Sequence, residues 1–448
     1  MSAGHGGERL HSVEEARHAV LAAIGAPLEE EVVTVDRALG RVLARDVAAA
    51  VTLPPWDNSA MDGYAIRAAN VAGASEDAPV RLAVTGEVPA GGVSEQAVGH
   101  ASAIRIATGA PIPPGADAVV PVEQTTPIDA TGVLGARGRD SVGPLPAVIL
   151  VHAAVSAGAH VRRRGSDLIE GAVILASGTA LSPAAVALAA GAGSASLHVR
   201  RLPRIGVLAT GNEVRPAGAD LGPAGIPDAN GPGLRALVTA SGAEPIDLGI
   251  APDDLDAVVA CLRTALDAGA DAIVVAGGVS VGPYDVVKLA FEAVGEIGLW
   301  RVAVQPGKPF AFGTAARPAG GRALLFGLPG NPVSSFVTFE LFVRPALRAL
   351  SGRRDLLRPV DRAVLLDEVR TAIARRAFLR VTAERDNDGA PSRQADGRVR
   401  VHLSSGPAGQ GSHVLSALAA ADALAVVPES VETHLAGDPV ELWWLDAP

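Results

Sequence analysis

The stretch "RIGVLATG", Arg204 to Gly211, is an apolar run that stops on glycine and leads straight into Asn212 and Glu213. The segments downstream set its class. "NGPGLRALVTASG" (Asn230 to Gly242) has helical spacing and also ends before a glycine. "EPIDLGI" (Glu244 to Ile250) and "DAIVVAGG" (Asp271 to Gly278) read as strands, with the amphipathic helix "DDLDAVVACLRTALDAG" between them. "YDVVKLAFEAVG" is a further helix, and "WRVAVQPG" and "RALLFGLPG" are further strands. "NPVSSFVTFELFVRPALRAL" (Asn331 to Leu350) is one long helix, with Asn331 as N-cap and Pro332 at the first helical position. Strands alternating with helices predict βαβ units around a buried parallel sheet. Ligands of such sheets bind beyond the carboxyl ends of the strands.

Around this centre the texture changes. Upstream, Val13, Ala16, Val20, Leu21 and Ile24 lie at helical spacing behind Ser12, a candidate N-cap. "EEVVTVDRALGRVLARDVAA" (Glu30 to Ala49) reads as a strand and a short helix. From Val80 to Val122, short β-like runs alternate with Pro/Gly turns, the pattern of a small all-β module. "GAHVRRRGSDLIEGAVILASGTAL" is β-like and "SPAAVALAAGAG" helical. Beyond Arg353, alternating runs such as "AFLRVTAERD", "GRVRVHLSS" and "DPVELWWL" predict a C-terminal β domain. The fold class is therefore α/β and β multidomain.

The 448 residues carry a formal charge of −10. That disfavours a nucleic-acid face but permits a small anionic ligand held by local Arg, Lys and backbone N–H groups. The single cysteine, Cys261, cannot form an internal disulfide and reads as a small apolar side chain in a helix. No Cys/His cluster has structural-zinc spacing. The N-terminal segment has no apolar leader, and "AAVALAAGAG" is too short and glycine-rich to span a bilayer. The expectation is a cytoplasmic protein that binds neither nucleic acid nor membrane.

Several α/β strands end in glycine turns beside polar side chains. Thr210, Gly211, Asn212 and Glu213 follow the first; Gly277, Gly278, Ser280, Gly282 and Asp285 follow "DAIVVA". Pro329, Gly330, Asn331, Ser334 and Ser335 follow "LLFGL", and "QPGKP" supplies Lys308. Glycines let backbone N–H groups approach an anion, and a helix N-terminus adds about half a positive charge. This is the make-up of a phosphate or pyrophosphate cradle. No G-x-x-x-x-G-K-[ST] loop or full dinucleotide fingerprint is present.

Asp62, Glu213, Asp228 and Asp285 each sit near Gly or Asn. They are either turn carboxylates or the one or two that hold Mg²⁺ against phosphate oxygens. Thr108 precedes Gly109 on a Pro-rich turn, which is a plain hairpin or a site element. Arg162, Arg163 and Arg164 lie in a β-like run, where Arg162 and Arg164 would share a face, as an anion clamp or a solvated surface. "PPWDNSAMDGYAI" (Pro54 to Ile66) gathers Trp56, Asp57, Asn58, Met61, Asp62 and Tyr64 in a chain sparing of Trp, Tyr and Met. Its Pro pair and Gly63 predict a rigid turn, with Trp56 and Met61 as packing anchors and Asp62 exposed. His160 and His413 are isolated, with no metal-ligand spacing or evident catalytic partner.

In chain order, "PPWDNSAMDGYAIR", "RIATGAPIPPGADAVVPVEQ", "RRRGSDLIEGAVIL", "VLATGNEV", "DANGPGL", "GGVSVGPYDVVK", "QPGKPFAFG" and "LPGNPVSSFVTFELFVRP" resemble the motifs of the molybdopterin molybdenumtransferases. These are the MoeA-type enzymes, related to the gephyrin E domain. The resemblance covers nearly the whole chain. It implies an elongated four-part subunit: a discontinuous linker or hinge domain (1–50 and 147–200), a β domain (51–146), an α/β domain (201–353) similar to molybdopterin adenylyltransferase, and a C-terminal β domain (354–448). It implies a homodimer whose site lies between the α/β domain of one subunit and the β domain of the other. The implied reaction takes adenylylated molybdopterin and molybdate, with Mg²⁺ assisting, and releases AMP as molybdate enters at the dithiolene. Molybdopterin adenylyltransferase is a candidate partner.

Matched motif by motif, catalytic roles fall to Asp62, Thr108, Glu213 and Asp285. Substrate and nucleotide contacts fall to Thr210, Gly211, Asp228, Gly277, Gly278, Ser280, Lys308, Pro329, Gly330, Asn331, Ser334, Arg162 and Arg164. Asp285, Glu213 and Asp228 are the implied metal ligands. The chain departs from the pattern at Asn212 (usually Asp), at Ala229 and Pro232, at Pro283 (usually acidic) and at Gln305 (commonly Lys). Two other readings stand beside this one. An adenylyltransferase acting on the pterin would not need "AMDGY" or "TGAP". A non-catalytic scaffold, like the structural role of gephyrin, fits less well with a short N-terminus and no long linker.

Overall fold

The computed structural model describes residues 10–138, 143–278 and 286–445. At its centre six strands form one sheet: β1 (Arg204–Thr210), β2 (Glu244–Ala251), β3 (Ala272–Ala276), β4 (Gly295–Arg301), β5 (Pro309–Ala316) and β6 (Arg322–Leu328). Their spatial order is β2-β1-β3-β6-β5-β4. Along β3, Ala272, Val274 and Ala276 enter one core while Ile273 and Val275 enter the other. A strand covered on both faces has to be apolar at every position, which is why this run shows no alternation. Helix α1 (Asn230–Ala240) packs into the first core. Helices α2 (Leu255–Asp267) and α3 (Val286–Val294) pack into the second, with Cys261 half-buried against it.

The sheet is not wholly parallel. β2, β1, β3 and β6 are parallel, but β5 runs antiparallel to β6 and β4 antiparallel to β5. The connections at 302–308 and 317–321 are too short for the crossover a parallel pair requires. "WRVAVQPG" also divides between two sheets. β4 ends at Arg301, and Val304–Gln305 pairs with Arg376 and Ala377 of the C-terminal domain. The side-chain oxygen of Gln305 accepts the Ala372 N–H at 2.8 Å, a second tie between the domains.

The helix from Asn331 to Leu350 is interrupted. Pro332–Thr338 is α-helical, Phe339–Val343 is a π turn and Arg344–Leu350 returns to α. Pro345 has no N–H for the carbonyl of Leu341 and its ring crowds that oxygen, so the register loosens there. At the other end of the chain, Ser12 and Glu15 close a reciprocal capping box on helix Val13–Ala22, with bonds of 3.0 and 2.9 Å.

The small β domain is a six-stranded sheet in the order Ala118–Pro121, Gly63–Ile66, Ser102–Ile106, Val80–Val88, Val148–Val151, Thr125–Ile128. Val148–Val151 lies past residue 146, because it pairs with both the 80–83 and 125–128 segments. The "AMDGY" stretch feeds an inner strand whose anchor is the fully buried Tyr64. Trp56 and Met61 are 47% and 37% exposed, so they do not pin the turn as expected. Gly63 does: a Cβ there would sit 2.0 Å from the Val120 carbonyl oxygen. The stretches before and after this domain pair with each other, Glu30–Thr34 with Ser196–Arg200 and Val47–Ala48 with Val173–Leu175. In the C-terminal domain, strands Val360–Leu365, Arg376–Ala383, Val399–Leu403, Ala423–Val427 and Pro439–Trp444 close into a barrel through the pairing of 377–381 with 423–427. Among the described residues no helix is long and apolar enough to cross a membrane.

One buried charge holds the base of the central sheet. Asp271, 2% exposed, accepts Arg201 Nη1 and Nη2 (2.7 and 2.8 Å), Arg317 Nη1 (2.7 Å) and the Arg204 N–H (2.9 Å). Removing one partner strands the others without compensation. Asp271→Ala is expected to lower stability by about 3–5 kcal/mol in urea unfolding. Because Asp271 precedes β3, at the end remote from the glycine turn, the folded variant should bind ligand as wild type does.

Candidate active site

The carboxyl ends of β1, β3 and β6 open onto one cavity of about 940 Å³. Gly211, Gly277, Gly278 and Gly330 line it, each directly after or just beyond a strand. Thr210, Glu213, Asp228, Asn230, Asp253 and Asn331 add polar side chains, and His413 and Leu415 arrive from the C-terminal domain. Gly277 and Gly278 have φ of +104° and +61°. A Cβ on Gly277 would lie 2.5 Å from the Thr210 carbonyl oxygen, and one on Gly278 would lie 2.7 Å from Val287 Cγ2. Only glycine fits, and its bare backbone can approach an anion closely. Thr210 Oγ1 is buried with no hydrogen-bond partner among the described residues.

Local bonds fix these turns to one another. Asn230 Nδ2 donates to the Gly330 carbonyl at 2.7 Å, which ties the start of α1 to the turn after β6. Asp228 Oδ1 accepts the Gly231 N–H at 2.9 Å. Ser335 Oγ donates to the Pro329 carbonyl. Cavities of about 650 and 500 Å³ adjoin the first, sharing Gly211, Val214 and Asp228 in one case and Glu213 in the other.

The structure brings Thr210, Gly211, Glu213, Asp228, Gly277, Gly278, Gly330 and Asn331 together as the sequence led us to expect. Lys308, Pro329 and Ser334 do not line this cavity; Ser334 is buried in the helix start. Ser280, Gly282, Pro283, Tyr284 and Asp285 lie outside the described residues. Among the described residues no group of three or more His, Cys, Asp or Glu side chains could hold a metal ion. Glu213 and Asp228 nevertheless share one wall. One or two such carboxylates are fewer than a metal caged by protein alone requires.

Asp62 and Thr108 form a second cluster, in the small β domain. Asp62 Oδ1 accepts both the Thr108 N–H (2.7 Å) and the Thr108 hydroxyl (2.8 Å). These donors, the backbone one foremost, hold the Asp62 carboxyl below the usual carboxylate range. A depressed folded-state value means the tie is intact above the unfolded value, about 3.9, and is lost as pH falls through the folded one. Acid loss of activity through Asp62 is thus expected only below about pH 4, and a pH–rate profile checks it.

The arginine run differs from the expected shared face. The strand ends at Arg162, opposite Asn58, so Arg164 lies beyond it. Arg163 Nη1 and the Arg164 N–H both bind Asp57, each at 2.7 Å, and Arg164 Nε donates to the Pro55 carbonyl at 3.1 Å. The run therefore braces the "PPWDNSAMDG" turn, and Asp57 is the residue that sequence reasoning passed over. Neither Asp62, Thr108 nor these arginines line the 940 Å³ cavity of their own chain.

His413, which the sequence alone left isolated, lines this cavity. Its loop is held from beneath by Arg380, which is fully buried. Arg380 Nη2 donates to the carbonyls of Gly409 and Gly411 at 2.8 and 3.1 Å. The Gln410 side chain accepts the Arg380 N–H at 2.9 Å and donates to its carbonyl at 3.0 Å. Asn331 Nδ2 donates to Ser412 Oγ at 3.1 Å, and the Ser412 carbonyl accepts the Val333 N–H. Burial pushes the Arg380 guanidinium down to about 10, so it stays charged at neutral pH. The glycines of "GQGSH" were the one sequence signal; the partners lie far away in the chain.

Three family models match in order: the MoeA N-terminal region (domain I and II) at 11–193, a probable molybdopterin binding domain at 206–349, and the MoeA C-terminal region (domain IV) at 362–445. The chain is 38% identical over 418 residues to molybdopterin molybdenumtransferase 2 of Mycobacterium tuberculosis (strain CDC 1551 / Oshkosh), covering 92% of this chain and 94% of that protein. It is 32% identical over 432 residues to the molybdopterin molybdenumtransferase of Haemophilus influenzae, covering 96% and 98%. A crystal structure of the molybdopterin biosynthesis MoeA protein from Pyrococcus horikoshii OT3 matches with a TM-score of 0.74 at 29% identity, over 97% of this chain and 100% of that one. With its domains, its glycine-lined cavity and its relatives in agreement along almost the whole sequence, the chain belongs to the MoeA family of molybdopterin molybdenumtransferases.

Proposed function

We propose that this protein acts late in molybdenum cofactor synthesis, inserting molybdate into adenylylated molybdopterin and releasing AMP. The observation that carries the reading is the glycine-lined cavity at the carboxyl ends of β1, β3 and β6, in a chain that matches the family end to end. Backbone N–H groups of Gly211, Gly277 and Gly278 accommodate the phosphates, and the unpartnered Thr210 hydroxyl donates to one of them. The joined cavities suit a two-part ligand, with the nucleotide in one and the pterin reaching toward the next. Glu213 and Asp228, with Asp285 of the sequence, would hold Mg²⁺, which when bound would polarise the phosphoanhydride. The chain's own residues orient the anhydride, and preorganised donors stabilise the charge that grows on AMP as it leaves.

Asp62 and Thr108 complete the site from a second copy of the chain, because they do not line the cavity of their own. The working protein in this reading is a cytoplasmic homodimer of four-part subunits, divided as the sequence motifs imply. Arg162 and Arg164, beside the Asp62 turn, belong in this reading to the pterin and molybdate end, and Lys308, outside the cavity, acts on the nucleotide only through longer-range charge. Asp285→Ala is expected to abolish cofactor formation from adenylylated molybdopterin and molybdate; unchanged formation sinks its role. Incubation with Mg-ATP and molybdopterin separates the reading from an adenylyltransferase. No adenylylated pterin is expected, and its formation would favour the other enzyme.

A further inference from the structure

The cavity has an unbalanced wall. Glu213, Asp228 and Asp253 bring carboxylates to it, and no lysine or arginine lines it among the described residues. The segment 279–285, which continues from Gly278, contains no Lys, Arg or His in its sequence. Arginines of the adjoining 650 Å³ cavity are already engaged. Arg215 Nη1 donates to the Asn212 and Val214 carbonyls (2.8 and 2.9 Å), and Arg235 Nη1 to Asp247 (2.8 Å). In the proposed reading the glycine N–H groups and a bound Mg²⁺ offset part of the repulsion a phosphate meets beside these carboxylates, and a side-chain donor on the same wall would offset more of it. His413 has the one side chain on this wall, among the described residues, that can carry a positive charge.

We propose that His413 is a phosphate-contacting residue of this site, contributed by the C-terminal domain, whose ring N–H donates to the nucleotide phosphate. The proposal rests on the nucleotide reading of the cavity. An imidazole offers an N–H in either protonation state, so the contact does not require the ring to be charged. No partner within the chain occupies the ring nitrogens among the described residues, while Arg380, Gln410 and Asn331 fix the backbone that carries it. The ring itself lies against Gly411. That glycine has φ of −60° and ψ of 145°, open to any residue. Yet a Cβ on it would come within 3.0 Å of His413 Cε1 and 3.3 Å of Nδ1, and 3.2 Å of Val414 Cγ2. Gly411 thus acts as a positioning residue that leaves room for the imidazole.

Calorimetric titration with AMP and with adenosine tests this on the full-length protein. His413→Ala is expected to weaken AMP by about tenfold, the loss of one hydrogen bond to a charged group, and to leave adenosine unchanged. His413→Gln, which keeps an N–H donor, should recover most of the AMP affinity. Gly411→Ala should weaken AMP in the wild-type background and add nothing in the His413→Ala background, since both act on one contact. AMP affinity unchanged in His413→Ala, or AMP and adenosine weakened equally, overturns the proposal. Wild-type protein that binds neither ligand removes the nucleotide reading itself, and the proposal with it, a different failure from the first two.

Discussion

Asp62→Asn should reduce molybdate-dependent AMP release by about a hundredfold or more while leaving AMP affinity within about twofold of wild type. The substitution keeps size and an oxygen that can still accept the Thr108 N–H, so the turn stays folded. What disappears is the negative charge, which two donors at 2.7 and 2.8 Å now fix in one place. In the proposed reading, this fixed and exposed carboxylate acts outside its own domain. Thr108→Val removes only the hydroxyl bond and should cost less, about tenfold. Because Asp62 does not line the cavity of its own chain, mixing Asp62→Asn subunits with subunits defective in the cavity should restore part of the activity. Each mixed dimer would then keep one intact site. No recovery on mixing, after exchange of subunits has been verified, would place Asp62 in cis or outside the site.

Gly277→Ala should destabilise the α/β domain by about 3 kcal/mol or more and abolish AMP binding. Two costs combine. A left-handed φ with a side chain costs about 1–2 kcal/mol, and overpacking against rigid atoms adds about 1–3 kcal/mol. The added carbon would meet the Thr210 carbonyl at 2.5 Å and Thr210 Oγ1 at 2.7 Å. The hydroxyl can rotate away, but the carbonyl cannot move without shifting the end of β1, which carries Gly211 and Glu213. Gly218→Ala is the control: φ there is +84°, but nothing lies within 4 Å of the new carbon. It should show only the conformational part and bind AMP normally. Urea unfolding and calorimetric AMP titration measure both effects. Equal destabilisation by the two variants would mean that the contact with β1 is not what requires glycine at 277.

The inner strands β1, β3 and β6 were legible in the sequence because burial on both faces forces unbroken apolar runs, and each of these three leads into a glycine turn. What periodicity could not show was direction. The antiparallel β4 and β5 follow from connection lengths, and the split of "WRVAVQPG" depends on a strand some seventy residues later. The interrupted helix was legible in principle, since Pro345 lies within it. At the site, residues directly after strands were found, because strand ends converge by topology. Asp57, Arg380 and His413 were not, because their placement depends on elements that are distant in the chain, and Asp253, just after β2, was passed over because its strand ends without a glycine. The run Arg162 to Arg164 misled for a related reason: alternation assumes a strand, and the strand stops at Arg162.

The central claim is that AMP leaves this protein only when molybdate arrives. Purified protein is incubated with adenylylated molybdopterin and Mg²⁺, with and without molybdate, and AMP and metal-loaded pterin are quantified together. The account predicts AMP release that depends on molybdate, with one AMP formed for each pterin that gains molybdenum. Release that proceeds equally without molybdate, or molybdenum insertion with the adenylyl group still attached, would contradict it.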